Sequence, residues 1–224
     1  MKPIILCGSS GRMGQEVLKL IEKHPDFLLH ASISRSGMAM EQVDFSGERP
    51  VIIDFSHHEL LQQHLKVALK HNLGILVATT GHGQENYAAI DEASLKIPIV
   101  LAPNTSPMAS LMLHMGQMAA SVSSSIEIID VHHQHKKDAP SGTAKALVKA
   151  FSNETLAPIH VHSIRAGEVI GDHSAYFFND FERLELIHRV SDRRVFAQGA
   201  LLAAQFLFGQ KPGLYSMADV LKIK

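Results

Sequence analysis

Three histidines, two lysines and an aspartate stand within residues 132–138: His132, His133, His135, Lys136, Lys137 and Asp138. Side chains of these types exchange protons and supply positive charge near neutral pH. Pro140, Ser141, Gly142 and Thr143 follow directly. They have the composition of a helix start, where backbone N–H groups lack intrahelical partners and the positive end of the helix dipole favours an anion. Gly142 lets a ligand approach the backbone closely, and Thr143 adds a hydroxyl donor. A proton source beside such a cradle is a site for a small acid, held by its carboxylate or phosphate. Each part alone has a plainer account. Pro-Ser-Gly-Thr serves as an ordinary cap, Lys136 and Lys137 as a solvated loop face, and the histidines as zinc ligands. With one cysteine in the chain and no second ligand cluster at metal spacing, no metal site is expected.

Two elements must hold this run. Residues 125–131 read as a strand through Ile126, Ile128, Ile129 and Val131, and residues 144–151 read as a helix. The polar run is then a strand-to-helix loop on a rigid scaffold.

The 224 residues make one large or two small domains, and 46% hydrophobic residues allow a real core. A formal net charge of −1 gives no basic footprint for nucleic acid. Cys7, the single cysteine, excludes an intrachain disulfide and fits a reducing cytoplasm. It lies in the first apolar run and is expected to be buried and inert. That run stops at Gly8, too short for a signal core, and no run approaches the roughly 18 residues of a membrane span. No membrane partner and a cytoplasmic location are expected.

The first hundred residues alternate strand and helix, which predicts a doubly wound parallel sheet. Ile4 to Cys7 form an unbroken apolar run, then come Gly8-Ser9-Ser10-Gly11-Arg12-Met13-Gly14 and a helical pattern through Val17, Leu18 and Ile21. Strand, glycine loop and helix together are the context of a dinucleotide-binding loop, although the spacing is Gly-x-x-Gly-x-x-Gly and a ligand-free turn is the plainer account. After the second strand (27–33) an acidic residue usually meets the adenosine ribose; here stand Ser34 and Arg35, which would not repel a 2′-phosphate. Later strands end in Ala78-Thr79-Thr80-Gly81 and Ala102-Pro103-Asn104-Thr105-Ser106, small polar loops at the ends where such sheets bind ligands. Met108, Met112, Met115 and Met118 mark a helix expected to use them as adaptable core packing. Strands at 159–164, 174–178 and 183–190, without long helices between, predict an open mixed or antiparallel sheet in a second domain. A helix at 196–208 and a short closing segment follow.

The run His-His-Gln-His-Lys-Lys-Asp-Ala-Pro-Ser-Gly-Thr-Ala (132–144) closely resembles the motif of 4-hydroxy-tetrahydrodipicolinate (dihydrodipicolinate) reductases. The Gly-x-x-Gly-Arg-Met-Gly loop, the loops at 78–81 and 102–106, Arg-Ala-Gly-x-x-x-Gly-x-His (165–173) and Glu-Arg-Leu-Glu (182–185) are similar to further segments of that family. The resemblance covers nearly the whole chain. It departs at Ser34, where many members are acidic, at Ala78 for a glycine, at Thr105 for a common phenylalanine, and in trimmed loops at 37–50 and 152–158.

The resemblance implies NADPH and/or NADH as cofactor, a small dicarboxylate as substrate, a reaction in diaminopimelate and lysine biosynthesis, and a homotetramer built by the second-domain sheet. It implies His132 as proton donor or acceptor, and Lys136 as a second proton donor or a stabilising cation. His133, Ser141, Gly142 and Thr143 would bind substrate. Gly8, Ser9, Ser10, Gly11, Arg12, Met13, Ser34, Arg35, Ala78, Thr79, Thr80, Ala102, Pro103, Asn104 and Thr105 would line the cofactor site. Asp138 would shape the loop through backbone hydrogen bonds. The expected domains are 1–103 for the dinucleotide, 104–208 for substrate and assembly, and 209–224 packing back on the first. Two other readings stay open: another NAD(P)-dependent enzyme such as an amino-acid dehydrogenase, and a nucleotide-sensing module without turnover.

Overall fold

The computed structural model describes residues 1–34 and 37–223, in two compact units. The first begins with β1 (Lys2–Cys7), α1 (Arg12–Ile21), β2 (Phe27–Ile33), β3 (Val51–Asp54), α2 (Leu61–His71), β4 (Ile75–Val77), α3 (Gln84–Ser94) and β5 (Pro98–Leu101). The second holds α4 (Pro107–Ala120), β6 (Ser125–His132), α5 (Gly142–Ser152), β7 (Ile159–Arg165), β8 (Asp172–Phe178) and β9 (Arg183–Arg189). The chain then returns to the first unit with α6 (Arg194–Leu207), β10 (Gly213–Tyr215) and α7 (Met217–Leu221).

The first unit is the expected doubly wound sheet. Its strands run in the order β10-β5-β4-β3-β1-β2, all parallel. Both faces are covered, so the strands need not alternate polar and apolar residues. Ile4 and Leu6 of β1 enter one core with Val17 and Ile21 of α1, while Ile5 and Cys7 enter the other with Leu61 and Leu65 of α2 and Ile90 of α3. Cys7 is fully buried, and burial pushes its thiol well above the usual range, so it is not a nucleophile.

Helix α6 does not belong with the second unit, where the sequence analysis placed it. Its Ala197, Ala200, Ala203, Ala204 and Leu207 share a core with Ile4, Leu6, Ile53, Leu76 and Val100. The approach is close: a Cβ on Gly199 would stand 1.7 Å from the Thr105 carbonyl oxygen, and Thr105 Oγ1 donates to the Phe196 carbonyl at 2.7 Å. The boundary between units falls at Ser106/Pro107 and again at Arg193/Arg194.

The second unit is a four-stranded mixed sheet, order β7-β6-β8-β9, with β6 and β7 parallel and the rest antiparallel. Residues of β6 alternate, with Ile126, Ile128, Asp130 and His132 buried. Ile126 and Ile128 pack with Ala175 and Phe177 of β8, Leu147 and Phe151 of α5 and Met112 of α4. Of the four methionines expected in the core, Met112 alone is buried; Met108, Met115 and Met118 are exposed in this chain. No described helix is long and apolar enough to cross a membrane.

Candidate active site

Strand β6 delivers two polar residues to its buried face, two positions apart: Asp130 and His132. Strand register then sets their neighbours. Asp130 pairs across to His173 on β8 and to Ser163 on β7, and His132 pairs to Arg165. The Asp130 carboxylate is fully buried at the centre. Its Oδ2 accepts from the Ser141 N–H at 2.9 Å, Arg165 Nη2 at 3.0 Å and Ser163 Oγ at 3.1 Å. Its Oδ1 lies 2.7 Å from His132 Nδ1 and 3.5 Å from His173 Nε2. The His132 contact has hydrogen-bond distance but not hydrogen-bond alignment, so it is an ion-pair approach, and neither atom has a hydrogen-bond partner among the described residues.

The loop after β6 is pinned by its backbone. His133 N–H donates to the Val169 carbonyl at 2.7 Å, Gln134 N–H to Gly167 at 3.2 Å and Lys136 N–H to His133 at 3.1 Å. Asp138 does use its backbone, accepting from Arg165 Nη2 at 2.6 Å, but its carboxylate also holds Lys136 Nζ at 2.7 Å. Ser141 caps α5: Oγ accepts from the Ala144 N–H at 3.2 Å and lies 3.2 Å from His173 Nε2. All polar groups that Ser141 could offer at the helix start therefore face inward, and the residue shapes the cradle from below. Gly142 and Thr143 form the outer first turn, and a Cβ on Gly142 would meet nothing within 4 Å.

Burial alone would raise the Asp130 carboxyl. Donation from His132, the Ser141 N–H and Arg165 outweighs burial and holds it far below the usual carboxylate range. The Asp138 carboxyl is likewise low, because Lys136 outweighs its partial burial. His173 goes the other way: burial, then the like charge of His132, lower it from 6.5 to about 4. An unfolded chain therefore takes up that proton first on acidification. Stability is full above pH 6.5 and is lost as pH falls towards 4, by about 3 kcal/mol. The low carboxyls contribute only further down, below their unfolded value of 3.8. Urea unfolding across this range is expected to show the slope, and His173→Gln to flatten it; an unchanged slope would contradict the assignment.

In the first unit, the residues expected to hold cofactor lie at the C-terminal ends of parallel strands, beside β1 where strand order reverses. Gly8 has φ +80°, and a Cβ there would stand 2.6 Å from the Phe55 backbone, so glycine is required. Gly11 caps α1 without a side-chain hydrogen bond, and the first turn holds no acidic residue. The N–H groups of Gly8, Ser9 and Gly11 are spent on the carbonyls of Ile33 and Gly8, so what the loop offers a pyrophosphate is the uncapped α1 start with its positive dipole end. Ser34 follows β2 directly; Arg35 lies outside the described residues. Ala78 and Ala102 are buried, their N–H groups donating to the Asp54 and Val77 carbonyls at 3.0 Å, whereas Thr80 and Pro103 are exposed. Thr105 Oγ1 is committed to Phe196, and Asn104 Oδ1 accepts from the Ser106 N–H at 2.9 Å. Thr79 is held by His82, whose Nε2 lies 3.1 Å from the Thr79 carbonyl and 2.9 Å from its Oγ1.

Arg165 and His173 enter the sequence reading only as the ends of a motif with no role, and Asp130 is passed over inside the strand at 125–131. A signal existed for Asp130: an aspartate continuing the apolar alternation of Ile126 and Ile128 is a charge on a buried face. The other two are joined to it only through strand register, which spacing does not reveal.

Comparison with known proteins places these features in one family. Residues 2–105 match the family model described as dihydrodipicolinate reductase, N-terminus, and residues 108–221 the one described as dihydrodipicolinate reductase, C-terminus. The chain is 37% identical to 4-hydroxy-tetrahydrodipicolinate reductase of Akkermansia muciniphila, covering 99% of this chain and 98% of that one. It is 38% identical to the reductase of that name from Brachyspira hyodysenteriae, covering 97% and 99%. Among solved structures, a dipicolinate-bound dihydrodipicolinate reductase from Paenisporosarcina sp. TG-14 superposes with TM-score 0.79 at 20% identity over 100% of both chains. An aspartate semialdehyde dehydrogenase from Vibrio cholerae shares the architecture at TM-score 0.60 and 13% identity, over 93% of this chain and 99% of that one. The chain belongs to the dihydrodipicolinate reductase family.

Proposed function

We propose that this protein reduces 4-hydroxy-tetrahydrodipicolinate to tetrahydrodipicolinate with NAD(P)H, in diaminopimelate and lysine biosynthesis. The observation that carries the reading is His132 at the end of β6, with Lys136 four residues on in the loop that runs into the α5 start. A bound nicotinamide nucleotide supplies the hydride. Departure of the substrate hydroxyl as water moves a proton from carbon to oxygen, and hydride addition requires one more proton at carbon. His132 has Nδ1 turned to Asp130, which leaves Nε2 to exchange protons with substrate. Lys136, its side chain 23% exposed, exchanges Asp138 for a substrate carboxylate at Nζ and either donates a proton or neutralises developing charge. Gly142 and Thr143 hold a carboxylate through the helix start, with His133 beside them; Ser141 supports that turn through Asp130 and Ala144.

Ser34 at the end of β2 carries no charge to repel a 2′-phosphate, which supports NADPH over NADH. The second-unit sheet leaves the face bearing Glu127, His160, His162 and Tyr176 without a helix of its own unit, which supports assembly of copies into a homotetramer. The single, buried Cys7 supports a reducing, cytoplasmic setting.

The test is oxidation of NADPH, and separately NADH, with the condensation product of aspartate semialdehyde and pyruvate formed in situ by a coupled synthase. Substrate-dependent oxidation is expected, faster with NADPH. Nucleotide binding without oxidation would favour the sensing module.

A further inference from the structure

We infer that Asp130 is the positioning residue of the dicarboxylate site, one buried carboxylate that both orients His132 and anchors the start of α5. The inference rests on the reductase reading above and deepens it. Asp130 is fully buried and so does not touch substrate; it acts through others. Its two oxygens face different parts of the site. Oδ1 faces His132 Nδ1 at 2.7 Å, and Oδ2 accepts from the Ser141 N–H at 2.9 Å. The ring that moves the proton and the helix turn that holds the anion are thereby set by one rigid group on a strand.

The surroundings show why a carboxylate is needed. Arg165 Nη2 at 3.0 Å and Ser163 Oγ at 3.1 Å also donate to Oδ2, so that oxygen is held by three donors while Oδ1 is left to face His132 Nδ1. Arg165 continues to the Asp138 carbonyl at 2.6 Å, which extends the same network under the Lys136 loop. His173, kept neutral, lies 3.5 Å from Oδ1 and 3.2 Å from Ser141 Oγ, bridging the two halves. An ionised aspartate accepts at every position; an asparagine of the same shape accepts with one atom and donates with the other. In Asp130→Asn either His132 Nδ1–H or the Ser141 N–H then faces an amide N–H. On the other side of the imidazole, Gly171 leaves room for the ring: a Cβ there would stand 3.1 Å from His132 Nε2. The ring is thus set at one end, its Nδ1 facing Asp130 Oδ1 at 2.7 Å, with Nε2 left for chemistry.

Four readouts test this. In the wild-type protein, nitrogen-detected NMR of the histidine rings should show a low-field proton on His132 Nδ1, assigned by its loss in His132→Gln. In Asp130→Asn that resonance should vanish, kcat should fall by about 100-fold or more, and binding of dipicolinate, used as the dicarboxylate probe, should weaken about 10-fold. NADPH affinity should stay within about twofold, since its elements lie in the first unit. A wild-type ring protonated on Nε2 instead of Nδ1 would overturn the inference, and so would Asp130→Asn with wild-type kcat. The NMR readout needs no variant at Asp130, so it decides even where Asp130→Asn does not fold. Wild-type protein that shows the Nδ1 proton but does not oxidise NADPH would sink the reductase reading and leave the geometry of Asp130 standing.

Discussion

Lys136→Ala is expected to lower kcat by about 100- to 10,000-fold while the affinity for reduced nucleotide changes by less than about twofold. Lys136 sits in the second unit, tied to Asp138 at 2.7 Å, and the glycine loop and strand ends suited to the nucleotide are all in the first. Removing the ammonium takes away one of two groups able to donate a proton or neutralise charge. Lys136→Arg separates those roles. A guanidinium supplies charge but does not give up its proton, so recovery of activity with arginine would assign an electrostatic role and failure to recover a proton-transfer role. Steady-state kinetics with a fluorescence titration of NADPH reads both. An unchanged kcat in Lys136→Ala would remove the residue from the chemistry.

The second large effect is expected far from any proton. Gly199→Ala should destabilise the protein and weaken NADPH binding together. Alanine in place of glycine inside a helix ordinarily gains up to about 1 kcal/mol. At Gly199 the new Cβ would stand 1.7 Å from the Thr105 carbonyl oxygen and 2.7 Å from its carbon, both backbone atoms that a rotamer change cannot move. Overpacking of this kind costs about 1–3 kcal/mol or more, so the clash exceeds the gain in helix propensity. A net cost of about 1–2 kcal/mol corresponds to a fall in Tm of roughly 2–8 °C for a chain of this length. The displaced segment carries Asn104 and Thr105, so about a 10-fold loss of NADPH affinity should accompany it. Gly142→Ala is the contrast: its Cβ meets nothing within 4 Å, so Tm should hold while dipicolinate binding weakens. A Gly199→Ala protein with unchanged Tm and affinity would contradict the packing of α6 on the nucleotide unit.

That packing also marks where sequence reasoning reached its limit. Helix α6 was visible as an apolar run, but Ala197, Ala200, Ala203 and Ala204 are small on several sides of the helix, and small apolar residues fit any sheet. Its allegiance depends on Gly199 and Thr105, nearly a hundred positions apart, and no periodicity reports a contact at that separation. The methionines of α4 misled for a related reason: a thioether is at home inside or outside, and three of the four lie outside in this chain. Strand β10 is three residues long, too short for a pattern of its own, and exists by pairing with β5.

The elements that were legible have local causes. The glycine loop follows an apolar run that cannot be anything but a buried strand, and Gly8 needs its positive φ whatever lies around it. The α5 start was legible because Ser141 caps Ala144 through contacts three residues apart. Ser141 itself was expected to face substrate, but its inward hydrogen bonds to Asp130 and Ala144 come from a strand and a helix turn that meet only in the fold. His132 and Lys136 stood out by type; what holds His132 did not. Asp130 belongs to the same strand, whereas His173, Arg165 and Ser163 arrive from β8 and β7 through register.

The central claim is that this chain delivers hydride from a reduced nicotinamide nucleotide to the cyclic dicarboxylate. The most direct measurement supplies NADPH fully deuterated at the nicotinamide C4 position, with the condensation product formed in situ, and weighs the tetrahydrodipicolinate by mass spectrometry. One deuterium per product molecule is expected with the wild-type protein, with little labelled product from His132→Gln or Lys136→Ala. Consumption of nucleotide with no deuterium in the product, or no consumption at all, would contradict the account.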